Sequence, residues 1–251
     1  MKVKVLGTQS PYSKDGNHCP GFLISHNEYK IMLDCGSGSH SLLDIPNDFN
    51  NFYGIITHLH EDHYNDIGIL QYAAFSNHNL KLIDNPINIC LPSTPEDKYK
   101  KIINEKDSYA SYTTLSENLE LNIGDMKVNF FKTDHPIETY AVKVSNNNMS
   151  IVYTSDSSFS AKDKIVKFAK NADLLICESS LLTSHGFPEI NSHLTAKQAG
   201  IIAKEANVKK LMLTHFWPEE SIENYLDEAK SIFSNVIGAK EGQIIDISKI
   251  H

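Results

Sequence analysis

The chain has 251 residues, 41% hydrophobic and 22% charged, with a formal net charge of −8. Those proportions belong to an ordinary globular protein with a sizeable core, and no stretch approaches the ~20 apolar residues of a membrane span. All 23 basic residues are lysine, so the side chain that best grips phosphate is missing, and the acidic balance opposes tracking a long polyanion. Low-GC coding also depletes arginine, so this argues only in part against a nucleic-acid partner.

The opening MKVKVLGTQS interleaves lysines with a short apolar run and lacks the look of a secretory signal. Strand patterns follow at 2–8, 21–26, 29–36 and 53–58. The last of these, YGIITH, delivers His58, His60, Glu61, Asp62 and His63 within six consecutive positions. Helical spacing then runs over 65–76, a strand over 87–92 and a helix over 95–105. The tyrosine-bearing stretch 92–115 reads either as an exposed helix and loop or as a lid, with Tyr112 available to stack on a base.

Strands are expected over 119–135, 139–145, 150–156, 174–180 and 210–216, with helices over 162–170, 195–206 and 219–233. Thr195 is a natural N-cap, Ala199, Ile202, Ala203 and Ala206 form an apolar stripe, and Asn207 is a stop. Cys19, Cys35, Cys90 and Cys177 lie far apart, which predicts buried, reduced thiols and a cytoplasmic location. No linker divides the sequence, so a single domain over 1–251 is expected.

A lone histidine is usually packing or surface, but the cluster at 58–63 ends an apolar strand, where side chains converge on a cleft. Three further strand ends supply matching types: KTDHP ends on His135, YTSD on Asp156 and LMLTH on His215. Singly, each has an ordinary explanation, such as a helix cap for Asp156 or packing for His215. Together they form a ligand set for a pair of divalent ions. Imidazole and carboxylate ligands suit zinc, with manganese or iron as substitutes.

These four segments resemble the metallo-β-lactamase superfamily, whose His-x-His-x-Asp-His signature is intact at His58–His63. The resemblance implies an α/β fold, a four-layer αββα sandwich. It also implies that His58, His60 and His135 hold one Zn2+, that Asp62, His63 and His215 hold a second, and that Asp156 bridges them. SHLTAKQAG and KLMLTHFW are similar to motifs of the ribonuclease Z branch. There, a further histidine assists the leaving group, and here His193 matches it, with Glu178 as the carboxylate that orients it.

Ribonuclease Z enzymes of bacteria hold tRNA with an arm inserted between the third histidine and the bridging aspartate. The interval from His135 to Asp156 holds two strands and the turn SNNNMS, with no room for an arm. DCGSG at 34–38, HPIETYAVK at 135–143 and SHLTAKQAG at 192–200 resemble the arm-less cyclic-nucleotide phosphodiesterases, which include the anti-Pycsar proteins. That resemblance implies hydrolysis of 3′,5′-cyclic mononucleotides (cCMP, cUMP, cAMP, cGMP) to 5′-monophosphates, evasion of antiphage immunity, and a homodimer with no membrane or stable nucleic-acid partner. The alternative is tRNA 3′-end endonuclease activity of the ribonuclease Z kind. Trp217, beside His215, is expected to pack near the metals or to wall the pocket.

Overall fold

The computed structural model describes residues 1–186 and 192–250. The chain divides into two compact units, one of 1–115 with 240–245 and the other of 116–239 with 246–251. Among the described residues, each unit is organised by one seven-stranded sheet.

The first sheet contains β1 (Lys2–Gly7), β2 (Gly21–His26), β3 (Tyr29–Leu33), β4 (Phe52–Ile55), β5 (Ile87–Leu91) and β6 (Ala110–Thr114), with the late strand β14 (Ile244–Asp246) beside β1. β1 to β3 form an antiparallel meander, whereas β3 to β6 run parallel. α1 (Glu61–Tyr64) and α2 (Ile67–Asn79) follow β4, and α3 (Glu96–Ile103) connects β5 to β6. Leu6, Met32, Phe52, Ile56, Leu59, Leu70 and Ile89 belong to one buried cluster in this unit. The histidine segment therefore leaves a strand that is fixed on both sides and packed over its apolar face.

The second sheet runs β13-β12-β11-β10-β9-β8-β7. Its strands are β7 (Glu120–Ile123), β8 (Met126–Lys132), β9 (Tyr140–Ser145), β10 (Ser150–Tyr153), β11 (Leu174–Glu178), β12 (Lys210–Thr214) and β13 (Val236–Gly238). β10 through β13 are parallel and β8–β9–β10 antiparallel, so β8, β10, β11 and β12 all end at one edge. β11 reads LLICE and is buried throughout, as expected for an interior parallel strand. α4 (Lys162–Phe168), α5 (Ala196–Glu205) and α6 (Ile222–Lys230) belong to this unit, and α5 lies on β11 and β12.

α5 forms as its sequence dictates. Thr195 Oγ1 accepts from the Gln198 amide at 3.1 Å and Gln198 Oε1 accepts from the Thr195 amide at 2.9 Å. This capping box stabilises the first turn by about 1 kcal/mol. Ala199, Ile202 and Ala203 are buried, and Asn207 takes a left-handed φ of 54° just past the end, where asparagine is tolerated.

Several elements differ from the sequence expectation. The run 119–135 is a hairpin, because Gly124 adopts φ 60° and turns the chain between Ile123 and Met126. The stretch 92–115 contains the expected helix, α3, and places the edge strand β6 where the sequence reads as a loop. The strands at 29–36 and 53–58 stop at Leu33 and Ile55, and the polar residues that follow them are used in the site.

Candidate metal centre

On the first unit, β4 leads through Ile56 and Thr57 into His58, and His60 N-caps α1 in an extended conformation (φ −83°, ψ 145°). His58 and His63 are fully buried and Asp62 nearly so. The rings of His58 and His63 lie 4.1 Å apart between centroids, and those of His58 and His60 lie 4.9 Å apart. His58 Nε2 stands 3.2 Å from His60 Nδ1. Two nitrogens bound to one tetrahedral zinc at ~2.0–2.1 Å are separated by roughly 3.3 Å, so this pair already has the spacing of ligands to a shared ion.

The residues beneath these histidines hold them in place. Asp34, at the end of β3, accepts from the Thr57 amide and hydroxyl at 2.7 and 2.9 Å. Its other oxygen accepts from His63 Nδ1 at 2.7 Å, which makes Nε2 the candidate ligand atom. Ser10 donates to Asp62 Oδ2 at 2.7 Å. Gly36 is glycine because a Cβ there would run into the Asp62 carbonyl. This explains why DCGSG accompanies the histidine motif.

On the second unit, His135 follows β8, Asp156 follows β10, Glu178 ends β11 and His215 follows β12. Asp156 is 2% exposed, and its two oxygens diverge: Oδ1 lies 3.2 Å from His215 Nε2 and Oδ2 lies 3.7 Å from His135 Nε2. His135 Nδ1 donates to the Ser192 carbonyl at 3.0 Å, which fixes the tautomer and leaves Nε2, the atom nearer Asp156, as a candidate ligand atom. Burial, opposed by the Asp156 charge, pushes the His135 pKa below the usual histidine value, which keeps it in the neutral form that a metal requires.

His193 is positioned by an extension of β11. Leu181 pairs with Thr195, which brings His193 Nδ1 to 3.2 Å from Glu178 Oε1. Glu178 is a fully buried carboxylate that accepts from the Ser157 amide at 3.1 Å and the Ser180 hydroxyl at 2.7 Å, so its charge is compensated. The Ser180 oxygen also lies 2.7 Å from His215 Nδ1. One hydroxyl thus links the candidate acid's carboxylate to a candidate metal ligand. The ligand atoms of Asp156, His193 and His215 all fall within 4.8 Å of one another.

Backbone strain concentrates at the same places. Asp34, Ser155 and His215 have φ of 58°, 51° and 66°, each at a cost of about 1–3 kcal/mol for a non-glycine residue. Each follows a strand beside, or at, a candidate ligand.

Tyr112 lies elsewhere in its unit's architecture. It sits in β6 with its ring against the first unit's core, and its hydroxyl accepts from Gln71 Nε2 at 2.7 Å. Trp217 is not packed away: it is 41% exposed. The four cysteines are free and buried. Asp34, Ser10 and Ser180 escaped the sequence reading as individual residues, although Asp34 heads the DCGSG motif and Ser180 follows Glu178 in CESS. No helix among the described residues is long and apolar enough to cross a membrane.

Comparison with known proteins agrees with this chemistry. A profile of the family described as anti-Pycsar protein Apyc1 matches residues 1–233. The "Probable metallo-hydrolase YhfI" of Bacillus subtilis is 30% identical over 248 residues, covering 96% of this chain and 98% of the relative. The crystal structure of that metallo-β-lactamase fold protein superposes with a TM-score of 0.89 over 97% of this chain and 98% of that one. A ribonuclease Z of Chlamydia muridarum is 25% identical over 295 residues, with 95% of each chain covered. Human tRNase Z, short form, shares the fold at a TM-score of 0.76 and 22% identity, over 98% of this chain and 99% of that one.

Proposed function

The chain belongs to the anti-Pycsar protein Apyc1 family of metallo-β-lactamase-fold, metal-dependent hydrolases, and from that premise we propose that it hydrolyses 3′,5′-cyclic mononucleotides to 5′-monophosphates. The observation that carries this reading is the divergent Asp156 carboxylate, one oxygen toward His135 and the other toward His215, with the Glu178–His193 pair alongside.

The first unit offers His58, His60, Asp62 and His63, and the second offers His135, Asp156 and His215. We take these seven as the ligands of one dinuclear centre in a single hydrolase domain, by the family pattern. Zinc suits the donor set, and manganese is an acceptable substitute. Bound there, such ions would supply a water that ionises near neutrality and positive charge against the phosphoryl oxygens.

The chain's own residues do the rest. Asp34, Ser180 and the Ser192 carbonyl hold the ligating imidazoles in one tautomer. Glu178 fixes His193 so that its proton is delivered to the departing 3′ oxygen. Ring opening needs one leaving group held in line, so a compact pocket suffices. Family membership also supports a cytoplasmic homodimer whose substrate is an antiphage signal.

Purified, metal-loaded protein should release 5′-monophosphates from cyclic CMP, UMP, AMP or GMP, and this should disappear with a chelator or in His60→Ala. Protein that leaves all four untouched rules the substrate out. The kinship with ribonuclease Z at 25% identity favours a second reading, tRNA 3′-end cleavage. Efficient cutting of a precursor tRNA at one site would establish it.

A further inference from the structure

Beyond His215 the chain runs through buried Phe216 to Trp217, Glu219 and Glu220 before Ser221 caps α6. An indole left 41% exposed forgoes much of the burial that so large a side chain provides, yet its backbone is fixed. The Trp217 amide donates to Tyr225 Oη at 3.3 Å, and the Tyr225 hydroxyl donates to the Ser180 carbonyl at 3.4 Å. Tyr225 is itself fully buried against Phe216, with centroids 5.1 Å apart. The loop that presents the indole is thus tied to buried Tyr225.

Beside it lies a cavity of about 330 Å3 lined by His185, Trp217, Glu219 and Glu220, all within the second unit. His185 Nδ1 accepts from the Leu182 amide at 3.2 Å, so its Nε2 carries the proton and donates to Glu220 Oε2 at 3.2 Å. Glu220 Oε1 accepts from the Ser221 amide at 2.8 Å and Asn224 Nδ2 at 2.7 Å. The Asn224 amide first, and then His185, hold the Glu220 carboxyl below its usual range. The result is a flat aromatic face next to an anionic acceptor whose position is set by three donors.

The geometry points to a nucleobase subsite formed by Trp217 and Glu220, which stacks the base and accepts from its exocyclic amine. Among the described residues the lining carries two carboxylates and no lysine, which disfavours a phosphate occupant. A base has a π-face for the indole, and cytosine, adenine or guanine offers amino hydrogens that a carboxylate accepts. Uracil lacks that amine. The subsite shares its segments with the metal-ligand set, since Trp217 is two residues past His215 and Ser180, which contacts His215, precedes His185 on the same segment. The assignment of the base as part of a cyclic nucleotide rests on the function proposed above.

Trp217 is the only tryptophan, so indole fluorescence of the full chain reports on this position alone. Titration with cytidine or adenosine 5′-monophosphate should quench it saturably, uridine 5′-monophosphate less, and ribose 5-phosphate not at all. In kinetics on cyclic CMP, Trp217→Ala should raise KM roughly tenfold or more, with little change in kcat and with recovery in Trp217→Phe. Glu220→Gln should narrow the gap between cytidine and uridine nucleotides. Absence of quenching, or equal quenching by ribose 5-phosphate, overturns the subsite even if cyclic nucleotides are hydrolysed. Base-dependent quenching in protein that hydrolyses none of them supports the subsite and sinks the cyclic-nucleotide reading instead.

Discussion

The carboxylate of Asp34 accepts the Nδ1 proton of His63 at 2.7 Å, and both side chains are wholly buried. Because Nδ1 is engaged, Nε2 is the imidazole nitrogen offered to a candidate metal, and the hydrogen bond restrains the ring. Asp34 adopts a left-handed φ of 58° at the end of β3, and the bond to His63, with those from Thr57, holds it in that conformation.

Asp34→Ala should therefore weaken metal binding by ~10–100-fold, the usual penalty for losing the group behind a ligating histidine. Competition with a chromogenic chelator measures this directly. Unchanged affinity in a folded variant would mean that His63 is held by something else.

His193→Ala should lower kcat by ~10²–10⁴-fold while metal content stays at the wild-type level, because the residue is proposed as an acid and not as a ligand. Elemental analysis beside steady-state kinetics separates the two roles. Glu178→Gln should give a smaller loss, since the amide can still contact His193 but no longer stabilises its charge. Loss of bound metal in His193→Ala would reassign His193 to the ligand set, which its proximity to Asp156 and His215 makes a concrete outcome.

The pH dependence of the metal-free protein follows from His135. Burial sets its folded pKa below the ordinary value, so below about pH 6.5 the unfolded chain binds a proton that the folded chain refuses. Stability is complete above that range and falls as the pH drops through it. Melting temperature in the presence of chelator should decline from pH 7.5 toward pH 5.5 (approximate bounds on the titration range), and the decline should be smaller in His135→Gln. A flat profile would contradict the assignment of His135 as a neutral, buried imidazole.

The four thiols should be inert in the native state. Burial pushes the thiols of Cys19 and Cys90 up to about 12, and those of Cys35 and Cys177 upward as well, which leaves almost no thiolate to react. A disulfide reagent such as DTNB should titrate the four cysteines slowly in native protein and completely in denaturant. Rapid reaction of one thiol before unfolding would show that its segment opens.

By itself the sequence determined which residue types converge on the candidate site and much of the frame that carries them. Histidine and aspartate at the ends of apolar runs are legible because a strand's direction fixes where its last residues emerge, and the Thr195 cap and alanine stripe of α5 are local signals. The tertiary structure alone decided what surrounds those residues. Ser180 contacts His215 from 35 positions away in sequence and Asp34 contacts His63 from 29, so no local pattern relates them. The split of 119–135 into a hairpin depended on one glycine's left-handed turn, and β6 on a parallel neighbour that its own mixed sequence does not announce. Trp217 shows the same division. Its place beside a ligand was visible in the chain, but whether its indole was buried or presented to a cavity depended on Tyr225, whose buried hydroxyl anchors the Trp217 backbone.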